Sequence, residues 1–146
     1  MAIEQDRGVI ELNKRVVERM LTAFNSPDDG VIDELVAIDH VDETPFPGTE
    51  PDRNGLKTQI KALHRAFPGV RFSLEKMLAE GDQVAFRWRM EGVHRSRQAE
   101  ASEGGQPFVF HGNDFVTLRE GKIVQHLSAD NVRELLAGLG ISRPGR

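Results

Sequence analysis

The stretch that decides the fold is Phe110–Asn131, FHGNDFVTLREGKIVQHLSADN. Apolar and polar residues alternate on both sides of Arg119-Glu120-Gly121, which predicts two strands joined by a tight turn and followed by the entry to a helix. Four side chains that can exchange protons stand among these residues: His111, Asp114, His126 and Asp130. Because an unpaired buried charge is costly, acids rarely face a core without a reason. The function therefore depends on whether Asp114 and His126 meet.

The turn allows two pairings of these strands. The first is a two-residue loop, Glu120-Gly121, in which Arg119 pairs with Lys122. This pairing places two like charges opposite each other. It also sets Asp114 opposite Leu127.

The second pairing is a three-residue loop in which Gly121 is left-handed within a bulge and Leu118 pairs with Lys122. It sets Asp114 opposite His126, where cross-strand Cβ atoms lie about 5 Å apart. Both registers segregate apolar residues tolerably, so the pattern does not decide between them. We favour the bulged loop, because it avoids the charge clash and gives Asp114 a partner.

The first half of the chain has helical periodicity. A helix is predicted over residues 5–25, and a shorter second helix carries Ile32, Leu35, Val36 and Ile38. The segment His40–Gly48 is predicted to be extended, and its two prolines exclude a central strand. After a polar loop over residues 49–54, a third helix is predicted from Asn54 to Phe67.

The second half changes to a period of two, which is typical of strands. Strands are predicted around Val70–Leu74, Val84–Met90 and Phe108–Leu118, and over residues 122–128. A polar stretch from Arg95 to Gln106 is predicted to be a mobile loop, and a last helix carries Val132, Leu135, Leu136 and Leu139. Helices followed by antiparallel strands predict an α+β domain with helices packed on one face of a curved sheet.

The composition narrows the possible functions. A chain of 146 residues forms one domain, and the absence of cysteine excludes disulfides and thiol nucleophiles. A formal net charge of −4 disfavours binding to nucleic acid or to an anionic membrane. The histidines show no metal-ligand spacing and no glycine-rich phosphate loop occurs, so we predict no metal and no cofactor. No apolar run suits a signal or a membrane span, so we expect a cytoplasmic protein.

Four parts of the chain carry motifs of one known family: EGDQVAFRW (80–88) followed by GVH (92–94), EGKIVQH (120–126), LLAGLG (135–140) and VDETPFPG (41–48). Together they resemble the SnoaL-like polyketide cyclases of the nuclear-transport-factor-2-like, or ketosteroid-isomerase-like, superfamily. The resemblance implies a single domain over residues 1–146, with a core of about 9–140 and a tail of 141–146. It implies an α+β cone, a strongly bent antiparallel sheet packed on three to four helices, enclosing one apolar pocket and usually forming a homodimer.

The resemblance also implies cofactor-free acid–base chemistry on polycyclic or polyketide-derived substrates, such as ring closure by aldol condensation. The cyclases pair a catalytic aspartate on the last strand with a histidine on the strand before it. Aligned on Gly121-Lys122-Ile123 and on Leu139-Gly140, the histidine position falls at Asp114 and the aspartate position at Ser128. The residue that leads into the last helix, commonly aspartate in the family, is Asn131 here.

Asp114 and His126 are the candidate catalytic pair. A carboxylate among apolar neighbours suits a general base, and His126 would orient it or exchange a proton with it. Glu43, in a proline-flanked segment, stands where the family often has histidine and is expected near the pocket entrance. Seven residues in all are predicted to line the pocket or bind substrate: Glu43, Trp88, Met90, His94, Phe110, Ser128 and Asn131.

Three functions fit this pattern. The first is a cofactor-independent enzyme that removes a proton α to a carbonyl of a bulky apolar, polyketide-like substrate, as a polyketide cyclase-like lyase or isomerase or an ester cyclase would. The second is a hydroxylase- or isomerase-type relative with the same pocket. The third is a non-catalytic module that binds a small apolar molecule on the same fold. The orientation of Asp114 and His126 discriminates the first from the third.

Overall fold

The computed structural model describes residues 2–94 and 105–138, which form four helices and five strands. The helices are α1 (Ala2–Ala23), α2 (Ile32–Leu35), α3 (Arg53–Ala66) and α4 (Val132–Gly138). The strands are β1 (Val36–Asp42), β2 (Arg71–Glu80), β3 (Gln83–His94), β4 (Gln106–Arg119) and β5 (Lys122–Ser128). Most of the predicted loop from Arg95 to Gln106, the predicted tail and Leu139 lie outside the described residues.

The strands form one curled, unclosed sheet in the order β1-β5-β4-β3-β2. Three of its pairings are antiparallel, while β1 joins the edge parallel to β5. The predicted α+β architecture is confirmed. Both prolines of the segment 40–48 follow β1 at the sheet edge, in agreement with the prediction that they exclude a central strand.

The helices cover one face of the sheet and enclose the core. On α1 the predicted apolar stripe contributes Val16, Val17, Met20 and Leu21 to the core, and α3 contributes Leu56, Ile60 and Leu63. The alternating residues of β3, from Val84 to Met90, are buried on the same face of the sheet. No helix within the described residues has the length and apolar character needed to cross a membrane.

The second helix is shorter than predicted, because the chain changes from helix to strand at Val36. Val36 pairs with Ile123 of β5, and Ile38, which was assigned to the helix, is 82% exposed on the strand. The spacing of the apolar residues suits a short helix. However, the β-branched residues Val36 and Ile38 are equally favourable in a strand, and pairing with β5 decides the outcome.

The register predicted for the β4–β5 hairpin is wrong. Arg119 pairs with Lys122 across a two-residue loop, and both central residues are left-handed, Glu120 at φ 52° and Gly121 at φ 78°. Two left-handed central residues define a type I′ turn, whose twist matches that of the flanking strands. The expected charge clash is relieved, because the Arg119 guanidinium lies 2.9 Å from the carboxylate of Asp39.

A bulge lies one residue pair further along the hairpin. Leu118 pairs with Ile123, but Thr117 pairs with Gln125, so Val124 is the extra residue on β5. The register beyond it sets Asp114 opposite Ser128, which neither predicted pairing contained.

Candidate active site

Asp114 and His126 meet on the inner face of the sheet. Both side chains are buried, each residue being 6% exposed, and His126 Nε2 lies 2.6 Å from Asp114 Oδ2. The predicted contact is therefore confirmed, although the register that was meant to produce it is not. His126 is paired with Val116, and its ring reaches diagonally to the carboxylate two residues away on β4.

A second carboxylate lies on the other side of the imidazole. Asp42 is buried at the end of β1, where the parallel pairing sets it beside His126, and its Oδ2 lies 3.7 Å from His126 Nδ1. The other oxygen of Asp42 accepts a hydrogen bond from the backbone N–H of Thr44 at 2.9 Å. The Thr44 hydroxyl lies 3.4 Å from the same oxygen, so the carboxylate is held in one orientation.

Trp88 holds the other oxygen of Asp114. Its indole Nε1 donates to Asp114 Oδ1 at 3.1 Å, and its ring packs against the backbone of Gly112 on β4. Trp88 and Gly112 are paired across β3 and β4, and a Cβ at position 112 would overlap the indole. Glycine at this position therefore allows the indole to reach Asp114.

The two carboxylates determine the charge of His126. Burial alone would lower the pKa of the imidazole, but hydrogen bonds and charge interactions with Asp114 and Asp42 outweigh it and raise the pKa to about 9. At neutral pH the ring is an imidazolium that donates to Asp114 and faces Asp42. A buried group with a perturbed pKa and specific charged partners beside a cavity marks a candidate functional site.

The Asp114–His126 pair borders a cavity of about 40 Å³ between the sheet and the helices. Its lining residues are apolar apart from Asp114, His126, Trp88 and Gln59. The lining residues are Met20, Leu21, Phe24, Leu56, Gln59, Leu63, Phe72, Phe86, Trp88, Met90, Asp114, His126, Val132 and Leu136. The arrangement thus sets a proton-exchanging pair against an apolar space.

The other predicted site residues lie at different distances from this cavity. Trp88 and Met90 line it, and Ser128 is buried directly opposite Asp114. Phe110 packs on Phe108, with ring centroids 5.0 Å apart, and lies outside the cavity lining.

Three further predicted site residues are not brought to the cavity. The ring of His94 packs near Phe67, with centroids 6.4 Å apart. Glu43 is exposed and accepts a hydrogen bond from Gln125 at 2.5 Å, on the outer face of the sheet. Asn131 is exposed, and its backbone carbonyl accepts the Leu135 N–H in the first turn of α4.

Asp42 and Thr44 were missed as site residues. Asp42 stands in the motif VDETPFPG (41–48), where the sequence predicts its neighbour Glu43 as the site residue. The available signal was the alternation of His40, Val41 and Asp42, which puts both His40 and Asp42 on the inner face once β1 is recognised as a strand. Assigning Val36 and Ile38 to a helix concealed that alternation.

The carboxylates of Asp42 and Asp114 lie at opposite nitrogens of the His126 ring. They therefore face the N–H groups of the ring and do not converge on a single metal ion. Within residues 2–94 and 105–138, no set of three histidine or acidic side chains has a geometry that could hold a metal ion.

Known proteins share this architecture. The chain superimposes on a proposed polyketide cyclase from Bacillus cereus ATCC 10987 with a TM-score of 0.74 and 21% identity, covering 90% of this chain and 82% of that one. It superimposes on IdmH, a proposed polyketide cyclase from Streptomyces antibioticus, with a TM-score of 0.71 and 29% identity, covering 88% and 98%. AclR from Streptomyces galilaeus, a proposed hydroxylase, gives a TM-score of 0.68 and 23% identity, covering 92% and 89%.

Comparison with curated protein sequences finds no match. A family model does match, that of the SnoaL-like polyketide cyclases, over residues 14–139. The match spans the site from Asp42 to His126 as well as every helix and strand except the start of α1. The chain therefore belongs to the SnoaL-like polyketide cyclase family.

Proposed function

We propose that this protein is a cofactor-independent acid–base enzyme that removes a proton α to a carbonyl group of a bulky apolar, polyketide-like substrate. A cyclase or an ester cyclase would use this step. One observation carries the proposal: a buried carboxylate, Asp114, is held by two donors while it borders an apolar cavity. Family membership and the 29% identity with IdmH, a proposed polyketide cyclase, support the same reaction class.

Each residue of the site has a role in this reaction. The Asp114 carboxylate takes the proton, the C–H electron pair moves into an enolate, and the protonated Asp114 later returns a proton. The imidazolium of His126 holds the Asp114 carboxylate in place through its hydrogen bond, and Asp42 keeps the ring charged and oriented. In the apolar cavity these charges act with little screening by water.

The cavity must enlarge to admit a bulky substrate. A volume of about 40 Å³ accommodates a few water molecules, whereas pockets for small organic ligands measure roughly 300–1,000 Å³. The helix side of the cavity is formed by α1, α3 and α4, and its lining includes the flexible side chains of Met20 and Leu136. We place the opening on this side, because the opposite wall is the hydrogen-bonded sheet.

Hydrogen–deuterium exchange tests the proposed proton abstraction. 2-Tetralone, a bicyclic ketone with acidic α-protons, is incubated with the protein in D₂O and followed by NMR. We expect exchange above the buffer rate, and Asp114→Asn should reduce it by about 10²–10⁴-fold, the usual contribution of a general base. Asp82→Asn, an exposed aspartate in the β2–β3 turn, is the matched control and should exchange at the wild-type rate. Wild-type exchange in a folded Asp114→Asn protein would overturn the assignment.

Two alternatives use the same pocket. Ser128, at the position where the resemblance implies an aspartate in the cyclases, favours a module that binds an apolar molecule without chemistry. Binding of tetralin without any exchange of 2-tetralone would support that alternative. The likeness to AclR, a proposed hydroxylase, shows a common fold and supports a hydroxylase-type relative only to that extent.

A homodimer is part of the proposal. The outer face of the sheet exposes apolar side chains at positions that alternate with the buried site, including Val41, Phe115 and Leu127. Phe115 and Leu127 are paired across β4 and β5, so they form one continuous patch. Sedimentation of the wild type and of Phe115→Glu tests the homodimer, and a monomeric wild type would refute the homodimer. The cytoplasmic location stays a prediction.

A further inference from the structure

One polar side chain in the cavity wall has no role in the mechanism above. Gln59 of α3 lines the same cavity as Asp114 and His126, but it comes from the helix side, whereas they come from the sheet. Its neighbours along the helix face, Leu56 and Leu63, line the cavity as well. An apolar residue at position 59 would continue the apolar stripe of α3, so the glutamine interrupts it.

The Gln59 amide has no hydrogen-bond partner among the described residues. A primary amide offers two N–H donors and one carbonyl acceptor. The other polar groups of the cavity are already engaged: the Trp88 indole and the His126 Nε2 both bind Asp114. Gln59 is therefore the side chain of the described lining whose donors are free to bind a molecule in the cavity.

We propose that Gln59 is the residue that selects substrates with a carbonyl oxygen, by donating an amide N–H to that oxygen. The proposal rests on the proposed function, because the bound oxygen is the one that becomes negative when Asp114 removes the α-proton. In that step the C–H bond breaks, an O–H bond forms on Asp114, and the electron pair moves to the oxygen held by Gln59. A donor aimed at developing charge stabilises the enolate more than the ketone.

Asp114 and Gln59 lie on two different walls of the cavity, the sheet and α3. A ketone that spans the cavity can present its α-carbon to the sheet, where Asp114 lies, and its oxygen to α3. The imidazolium cannot serve the oxygen in its place, because Nε2 is bonded to Asp114 and Nδ1 faces Asp42. The preferred ligand class is thus a bulky apolar ketone whose carbonyl oxygen points toward α3 while the C–H on the adjacent carbon points toward Asp114.

The test uses two probes and two variants. 2-Tetralone carries the oxygen and tetralin has the same bicyclic frame without it. Gln59→Met keeps the length of the side chain and removes both donor and acceptor. Gln59→Glu keeps the shape and the acceptor, and it lacks a donor at a pH where its carboxyl group is ionised. Arg65→Met, at an exposed position of the same helix, is the matched control.

The readout is the dissociation constant of tetralin divided by that of 2-tetralone. Both constants are measured through the fluorescence of Trp88, the single tryptophan of the chain. Using a ratio cancels general effects of a variant on packing. We expect the ratio to fall about tenfold in Gln59→Met and in Gln59→Glu, the loss expected for one net hydrogen bond, and to stay unchanged in Arg65→Met. An unchanged ratio in Gln59→Met overturns the proposal.

An infrared spectrum of the bound ketone gives a second measurement. The C=O stretch of 2-tetralone should lie at lower frequency in the wild type than in Gln59→Met, because a hydrogen bond weakens the carbonyl bond. Equal frequencies would contradict the proposal. If the ratio and the frequency both change but no α-deuterium exchange occurs, the role of Gln59 stands and the proposed enzyme activity fails. If exchange occurs while the ratio and frequency are unaffected, the activity stands and the role of Gln59 fails.

Discussion

Asp114 lies directly opposite Ser128 across β4 and β5, yet its carboxylate bonds to His126, two residues earlier on β5. The bulge at Val124 makes this possible, because it moves the register by one residue and returns His126 and Ser128 to the inner face. Without the bulge, the two-residue turn would set Asp114 opposite Leu127 and direct the even-numbered residues of β5 outward. One extra residue in the strand thus brings the imidazole to the carboxylate.

The charge on His126 makes stability dependent on pH. Its pKa is raised from 6.5 to about 9 on folding, so the contribution is fully present below about pH 6.5 and is lost as the pH rises through about 9. The size of this contribution is roughly 3 kcal/mol. Urea unfolding of the wild type and of His126→Gln should therefore give free energies that differ most near pH 6 and least near pH 10.

The control for this experiment is His111→Gln, which changes an exposed histidine beside Glu75 on the outer face. Its effect on the free energy of unfolding should be small at every pH. A difference between wild type and His126→Gln that grows from pH 6 to pH 10 would contradict a protonated His126.

Asp42 should keep the pKa of His126 high, since the Asp42 carboxylate is one of the two that raise this pKa. We expect Asp42→Asn to lower the pKa of the imidazole from about 9 toward its ordinary value, because one of the two carboxylates is removed while burial still opposes the charged form. Titration of the His126 ring protons by NMR measures this directly. Asp39→Asn, an exposed neighbour on the same strand, should leave the titration unchanged. An Asp42→Asn protein that titrates as the wild type does would exclude Asp42 from the site.

Gly112 is predicted to be essential for the Trp88 contact with Asp114. In Gly112→Ala the new methyl group would overlap the indole, so the ring must move and Asp114 loses a donor. We expect a loss of about 1–3 kcal/mol in the free energy of unfolding together with a change in the Trp88 emission spectrum.

Gly8→Ala is the matched control for that substitution. Gly8 lies in α1 with nothing within 4 Å of the added methyl, so alanine should raise the free energy of unfolding by roughly 0.5–1 kcal/mol. A Gly112→Ala protein as stable as the wild type, with unchanged emission, would show that the indole does not depend on this glycine.

The sequence predicts the elements of this fold better than their register. Apolar spacing identifies α1, α3 and the inner faces of β3 and β4, because these segments are long enough for their period to be unambiguous. At Val36–Ile38 the apolar run is too short to separate helix from strand, and pairing with a strand that lies about 90 residues later in the sequence decides its structure.

The candidate site was only partly predictable for the same reason. The pairing of Asp114 with His126 could be anticipated, since acids and histidines among apolar strand residues need partners. Asp42 could not, because its place beside His126 follows from the parallel pairing of β1 with β5, which no local pattern indicates. The resemblance to the cyclases implied a histidine at the position of Asp114. In this chain the imidazole comes from the neighbouring strand, at His126.

The turn itself offers the most direct test of the register. In the type I′ turn Glu120 is left-handed, a conformation that is unfavourable for glutamate and favourable for asparagine. We expect Glu120→Asn to raise the free energy of unfolding by about 0.5–1 kcal/mol in urea melts. Glu80→Asn, at an exposed strand end, is the control and should give no gain, because asparagine is disfavoured in strands. The three-residue loop would require a left-handed residue only at Gly121, so a Glu120→Asn protein no more stable than the wild type would favour that register instead.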